Sequence, residues 1–371
     1  MKITLKTTLL QDMVSRAAKG AGNNKLIPLT NLLGIKLEDS VLTLTTTDAT
    51  NYLYIIQDKI VGEHFSVTVP VDVFCKLISR MTCEDIILDI DKELGSVKLK
   101  GNGNYKIELP LDENGLPIVY PNPLVKFKET DNEEDVKLSV IRTILATAKS
   151  ALATTLENPC YTGYYVADQV IATDSFKIAS VQTPIFKEPK LISSEMMDLF
   201  SVMRTEDIHV RTNGRQIVFS SPDCVIYGTT MEGIEDYAIV PITELVRSEF
   251  PSVCKISKQY LLQLLDRLSL FVSPYDKNGI GITFTTDGLS ISSKAQTGSE
   301  IIPYIESRSY APFSCSVDIS MFISQIKSIV GDVIEFHYGL DTAIKLVDGN
   351  CIQIISLLED DSYTDADDDM E

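Results

Sequence analysis

The chain has 371 residues, 44% hydrophobic and 23% charged, with a formal net charge of −19. Such a length exceeds one core and implies two or three domains, and the composition excludes disorder over the whole chain. The acidic balance excludes a protein that coats nucleic acid with its entire surface, because phosphate binding needs local positive potential.

No apolar run nears the roughly 20 residues that cross a bilayer, and "MKITLKTTLLQDMVSRAAKG" turns polar at once, unlike a signal peptide. The expected location is cytoplasmic, with no membrane partner. The seven cysteines are odd in number and widely spaced, with no C-x-x-C pair and only three histidines nearby in composition. They read as buried thiols in a reducing compartment, with no metal and no cofactor.

In chain order, a strand-to-helix pattern opens the sequence at Lys2, returns in "EDVKLSVIRTILATAKSALA" with Lys137, and returns again in "VCKISKQYLLQLLDRLSLFV" with Lys255. Each lysine is expected just before the short strand. Apolar residues at i, i+3 and i+4 follow, the spacing of one helix face. Downstream come alternating hairpins that turn at Glu38-Asp39-Ser40, Ala167-Asp168 and Asp287-Gly288. Then follow a second strand and helix in "SVTVPVDVFCKLISRM", "KLISSEMMDLFSVM" and "CSVDISMFISQIKSIV", and a further hairpin. The pattern strand, helix, hairpin, strand, helix, hairpin therefore occurs three times. An α+β fold follows, with two helices per repeat packed on antiparallel sheets. The expected domains are 1–126, 134–249 and 252–358. The segment 359–371, "EDDSYTDADDDME", carries eight acids in thirteen residues and reads as a disordered acidic tail.

The expected helical windows are 8–20, 71–81, 139–152, 194–204, 257–270 and 319–330. They hold ten basic residues against five acidic ones, a net +5 that leaves −24 elsewhere. Solvated lysines on amphipathic helices explain any one of these; the pattern over six helices instead describes one positive face inside an acidic shell. No zinc finger, basic zipper or aromatic ribonucleoprotein signature is present, so contact would be to the nucleic-acid backbone and weakly sequence dependent. Aspartates 48, 174 and 287 recur at hairpins, where local hydrogen bonding explains them. No nucleophile elbow, H-E-x-x-H or P-loop appears, and the expectation is a non-enzyme.

The three repeats, and above all "IPLTNLLGIKLEDSVLTLTTTD" and "IATDSFKIASV", resemble the bacterial DNA polymerase III beta subunit family, the replicative sliding clamps. The resemblance covers nearly all of residues 1–358. It implies three clamp-type domains per chain, and a head-to-tail homodimer forming a six-domain ring whose helices line a hole for double-stranded DNA. Its partners would be the replicative DNA polymerase and a clamp loader. Candidate pore contacts are Arg16, Lys19, Lys25, Lys76, Arg80, Arg142, Lys149, Arg204, Lys258 and Lys327. The resemblance also implies a pocket for partner peptides, with Tyr161, Thr173, Ser175, Phe176, Lys177 and Ile178 on one wall. Val240, Ile354, Ile355, Leu357 and Leu358 form the rest, and Lys177 is expected to meet an acidic peptide group. At the subunit interface it places Tyr105 and Ile107 opposite Phe271 and Val272; for these an alternating core is the competing reading.

The sequence departs from the family at Phe176-Lys177, where a histidine or tyrosine followed by arginine is common, at Ile239, where a basic residue is common, and at Ser193-Ser194. Such drift suits a virus-encoded or otherwise divergent clamp. The competing function is a clamp-like decoy or adaptor that uses the peptide pocket without encircling DNA.

Overall fold

The structure is a computed structural model that describes residues 1–91, 95–128, 133–273, 275, 278–293, 298–308 and 312–358. The acidic segment 359–371 lies outside the described residues.

Helices form where the apolar spacing requires them. The first, α1 (Thr7–Ala17), buries Leu10, Met13, Val14 and Ala17 along one face. Its counterpart in the third repeat, α6 (Lys258–Leu268), buries Leu261, Leu264, Leu265 and Leu268. Burying each such leucine contributes about 1.5–3 kcal/mol. Between them lie α2 (Val71–Ser79), α3 (Leu138–Ala148), α4 (Ser194–Asp198) and α5 (Ile239–Arg247), and α7 (Ile319–Ser328) follows. Short 3₁₀ turns extend α1, α3, α4 and α6, so the expected windows overrun the true helices by a few residues.

The repeat is larger than a set of hairpins. In the first copy, β1 (Lys2–Lys6) and α1 lead to four strands, β2 (Leu32–Glu38), β3 (Val41–Thr47), β4 (Tyr52–Gln57) and β5 (Phe65–Pro70). After α2 come three more, β6 (Asp85–Asp91), β7 (Ser96–Lys100) and β8 (Asn104–Glu108). The second copy runs β9 (Glu133–Lys137), α3, β10 (Gly163–Val166), β11 (Val170–Thr173), β12 (Lys177–Val181), β13 (Lys190–Ser193), α4, β14 (Asp207–Asn213), β15 (Gln216–Ser221) and β16 (Cys224–Thr229). The third runs β17 (Ser252–Ser257), α6, β18 (Gly279–Phe284), β19 (Leu289–Ser293), β20 (Ser299–Ile302), an added β21 (Glu306–Arg308), β22 (Phe313–Asp318), α7, β23 (Val333–Leu340), β24 (Ala343–Asp348) and β25 (Cys351–Ser356). Each expected hairpin is thus a three-stranded meander.

The three lysines do not share one place in the repeat. Lys2 opens β1, Lys137 closes β9 and Lys255 lies within β17. All three face acids across the strands: Lys2 lies 3.6 Å from Asp89, Lys137 pairs with Asp207, and Lys255 lies 2.8 Å from Glu306. The helix starts at Thr7, Leu138 and Lys258 mark the true register.

The chain forms two compact units, residues 1–142 with 195–230 and residues 143–194 with 231–371. The first contains a four-stranded sheet, β1-β6-β7-β8, and an eight-stranded one, β5-β2-β3-β4-β16-β15-β14-β9. The second contains a nine-stranded sheet, β13-β10-β11-β12-β25-β24-β23-β17-β21, and a four-stranded one, β20-β19-β18-β22. All pairings are antiparallel. Alternation decides the faces: Leu42, Leu44, Leu53 and Ile55 point into the core of the first unit, while Thr43 and Ile56 point out.

Cys160, Cys224, Cys254 and Cys351 are buried and Cys75, Cys83 and Cys315 half-buried, all as free thiols. Burial pushes the Cys224 and Cys254 thiols up to about 12, which keeps them protonated and inert. Among the described residues no helix is long and apolar enough to cross a membrane, and no group of side chains could hold a metal ion.

Candidate functional site

The second unit brings the proposed peptide-site residues onto β12, β25 and their surroundings. The corner between β11 and β12 is built by its own side chains. Thr173 Oγ1 donates to the Lys177 carbonyl at 2.8 Å and accepts the Ser175 N–H at 3.1 Å. Asp174 Oδ1 accepts the N–H groups of Phe176 and Lys177 at 3.0 and 2.9 Å. Ser175 is held at φ 80°, an uncommon conformation for a residue with a side chain. The first unit repeats the device: Thr47 Oγ1 donates to the Asn51 carbonyl, Asp48 Oδ1 accepts the N–H groups of Thr50 and Asn51, and Ala49 has φ 88°. Thr173 and Asp174 therefore shape a turn that recurs in the fold. What distinguishes the second corner is its tip, Phe176, which is 62% exposed where the first has Thr50.

Lys177 differs from the expectation. Its ammonium donates to Asp174 Oδ2 at 2.7 Å and its side chain is largely covered, so it braces the corner rather than waiting for an acidic peptide group. Ile178 and Ile354 face each other across β12 and β25 and belong to the core beneath α5, together with Tyr165, Tyr237, Ile242 and Val246. Ile355 points to the opposite side of the sheet and is fully buried among Phe284, Phe336 and Ile344. It is core and not a pocket wall. The accessible apolar groups are Phe176, Val240 at 64% exposure, and the half-buried Tyr161, Leu357 and Leu358. Ser356 N–H bonds the Phe176 carbonyl at 2.9 Å, and Leu358 N–H bonds the Ser316 carbonyl at 2.8 Å, which fixes the 356–358 segment. Tyr161 meets Tyr237 edge to face, with ring centroids 5.2 Å apart.

Val240 lies in the first turn of α5, a helix absent from the expected helical windows. Its signal was present: Ile239, Ile242 and Val246 repeat at helical spacing, and Pro241 sits in the first turn, where its missing N–H costs nothing. A second missed residue, Lys345, holds the far end of α5. Its buried ammonium donates to the Val246 and Ser248 carbonyls at 3.1 and 2.5 Å and lies 4.9 Å from the Phe250 ring. Burial lowers its pKa, against the smaller opposing pull of the Glu249 carboxylate.

Of the candidate pore cations, Lys25 lies in a turn and the others on or beside helices. Lys19, Lys25, Arg80, Arg142, Lys149 and Lys327 are exposed; Arg142 also reaches the Met203 carbonyl at 3.4 Å. Lys76 lies 3.3 Å from Asp72, Arg204 pairs with Asp12, and Lys258 donates to the Ile329 carbonyl. Arg16 is a correction. It is buried, donates from Nε to the Val202 carbonyl at 2.9 Å, and pairs with Asp223, so it cross-links the first unit internally and is not presented to a ligand.

Among the described residues, β8 and β20 each end a four-stranded sheet and pair on one side only. Gly101 N–H bonds the Gly103 carbonyl and Leu109 N–H the Gly95 carbonyl, which sets the alternation so that the amides of Asn104 and Lys106 point away from β7. Ser293 N–H bonds the Gly298 carbonyl, so the amides of Ser299 and Ile301 likewise point away from β19. Of the four expected interface residues, Ile107 is buried in its own sheet and Val272 packs on the core of the third repeat. Tyr105 and Phe271 are 39% and 51% exposed.

No family model and no curated protein matches the chain. Solved structures do. The DNA polymerase sliding clamp of Bacillus subtilis is similar at a TM-score of 0.82 and 14% identity, over 97% of this chain and 99% of that one. The beta subunit of the DNA polymerase of Streptococcus pyogenes gives 0.83 and 17%, over 97% and 100%. The DNA polymerase III beta subunit of Thermotoga maritima gives 0.79 and 17%, over 96% and 99%. At these identities the likeness speaks for architecture alone: over nearly its whole length, this chain has the fold of the bacterial DNA polymerase III beta-subunit sliding clamps.

Proposed function

We propose that the chain is one subunit of a DNA sliding clamp, a non-catalytic ring of two chains and six domains that encircles duplex DNA and tethers a polymerase through an apolar peptide site. One observation carries this reading. Each repeat contains two meanders, and their third strands pair by a rule. The first meander of repeat one joins the second meander of repeat two through β4 and β16, and that of repeat two joins repeat three through β12 and β25. Applied once more, the rule joins the first meander of repeat three, ending in β20, to the second meander of repeat one, ending in β8. Only another chain can supply that partner in a head-to-tail ring. The domain division 1–126, 134–249 and 252–358 belongs to this proposal, as does a cytoplasmic place of work.

The repeat also supplies a register. Val225 stands opposite Tyr54. Counting along the buried faces, with Leu99 in the place of Phe219 and Leu289 in that of Leu42, Asn104 and Ser299 hold those two positions. Tyr105 then falls opposite Gly298, and a Cβ on Gly298 would lie 3.4 Å from the Phe271 ring, so Tyr105 and Phe271 meet across the junction. The exposed cations Lys19, Lys25, Arg80, Arg142, Lys149 and Lys327 would hold the duplex by its phosphates, and the loader would act on the same closing strands.

The test uses Asn104→Cys with Ser299→Cys. Dilute protein is mixed with nicked circular plasmid, concentrated, oxidised and washed in high salt. A cross-linked dimer that stays on circles and leaves after linearisation is the expected result. Cross-linked dimer released equally from circles and linear DNA favours the decoy, and no cross-link from the double variant rejects the junction. The tether is tested separately. Phe176→Ala should weaken a labelled polymerase-derived peptide about tenfold in fluorescence polarisation, the size of an aromatic anchor, whereas Lys177→Ala should act through the shape of the corner and not through charge, leaving the salt dependence of binding unchanged.

A further inference from the structure

The two units treat equivalent sheet faces differently. In the second, the outer face of β10, β11 and β12 is filled by the Tyr165 ring, Gln169, Ile171 and Ser180, and the chain itself covers it. The Tyr237 ring lies tilted against Tyr165, centroids 5.3 Å apart, and Thr243 of α5 accepts a hydrogen bond from Gln169 at 3.3 Å. In the first unit the same repeat positions are Gly34, Thr43, Thr45 and Tyr54. Tyr120 takes the place of Tyr237 and lies so close to Gly34 that a Cβ there would meet its ring at 2.8 Å. Beyond Tyr120 the described residues hold no α-helix before α3. Pro121 and Pro123 reduce the connection to the 3₁₀ turn Pro123–Lys126, and its Leu124 and Phe127 pack instead over Tyr54, Val218 and Tyr227. Val218 occupies the position of Lys345, the residue that caps α5 in the second unit, so this face has no cap for a helix of its own chain. A cavity of 340 Å³ remains, walled by Gly34, Thr43, Thr45, Tyr54, Ile56 and Leu124.

We propose that this cavity is a second docking site, for a linear peptide carrying two neighbouring apolar residues beside a basic one. The repeat argues for polypeptide, because polypeptide fills the equivalent face of the second unit. The volume exceeds any one side chain and suits two apolar anchors. Charge at the rim argues for the basic residue: Glu38 and Asp39 line one end, and the single lysine there, Lys36, is held by Glu38 at 2.5 Å. The site goes beyond the tethering function above and does not depend on it.

The test is a methyl NMR titration of the whole protein, labelled at isoleucine and leucine, with N-acetyl-Leu-Phe-Arg-amide. Ile56 and Leu124 report this cavity; Ile178 and Leu358 report the other site, so the two proposals fail separately. Saturable shifts at Ile56 and Leu124 are expected. They should weaken at least fivefold when the peptide's arginine becomes glutamate, or when Glu38→Gln and Asp39→Asn are combined, and vanish in Thr43→Tyr, which fills the cavity. No saturable shift at Ile56 and Leu124, or equal binding of the arginine and glutamate peptides, overturns the proposal. The charge pair of variants sits at the exposed end of β2 and its turn and decides the matter should Thr43→Tyr not fold.

Discussion

Asp223→Ala is expected to lower the unfolding free energy of the first unit by about 3–5 kcal/mol, the cost of breaking a buried pair by removing its nearer carboxylate. The charge left behind is Arg16, whose side chain is 9% exposed and keeps only a longer contact with Asp12 at 3.8 Å. Asp223 itself is fixed from three sides: Thr205 Oγ1 donates at 2.9 Å, Ser221 Oγ at 3.0 Å, and the Arg16 guanidinium closes the group. Burial alone would raise its pKa, but the two hydroxyl bonds and the arginine outweigh it and the value is lowered. A depressed carboxylate stabilises the fold above its unfolded pKa of about 3.9 and loses that contribution as pH falls through the lower folded value. The stabilisation is therefore complete at neutral pH, and the difference between parent and variant should narrow only below about pH 4. Arg16→Met, which leaves the hydroxyl bonds in place, should cost less. Urea midpoints followed by far-UV circular dichroism from neutral to acid pH measure all of this. A variant within about 1 kcal/mol of the parent at pH 7 would show that Arg16 finds water or another acceptor.

Asn104→Pro should raise the dimer dissociation constant at least about a hundredfold, roughly 3 kcal/mol. The substitution is informative because of where the amide points. Asn104 N–H faces away from β7, so proline removes no hydrogen bond from the chain's own sheet and instead strips a donor from the open edge and places a ring there. Asn104→Ala, which keeps the amide, should dimerise nearly as the parent does. Sedimentation velocity over a dilution series separates the two. If Asn104→Pro sediments as a dimer at the parent's concentrations, β8 is not the joining edge and the head-to-tail ring is lost with it.

The sequence carried the helices and the threefold repeat openly, because Leu261, Leu264, Leu265 and Leu268 or Leu10, Met13, Val14 and Ala17 announce a buried face by spacing alone. Third strands such as β4 and β12 were less visible. What stabilises them is a partner far along the chain, and the pairing of Tyr54 with Val225 leaves no local mark. The charge count treated every helical cation alike, yet Arg16 is taken up by an aspartate that only the folded sheet brings near. Lys177 could have been read better: an aspartate three residues before it, in a tight corner, is within reach of its ammonium. At the proposed peptide site, Phe176 and Val240 came from the family resemblance, whereas the opposite facing of Ile354 and Ile355 needed the register.

The pairing of early strands with late ones also governs how the protein can be made. β4 leaves the ribosome with one side unsatisfied and waits for β16, and β12 waits for β25, the last strand described. During synthesis the rows of amides on β4 and then β12 are exposed beside apolar faces, the condition under which nascent chains pair wrongly or aggregate. Such long closures also make for slow folding. The chain thus spends its vulnerable period as a series of half-built sheets, each sealed only by a segment translated well over a hundred residues later.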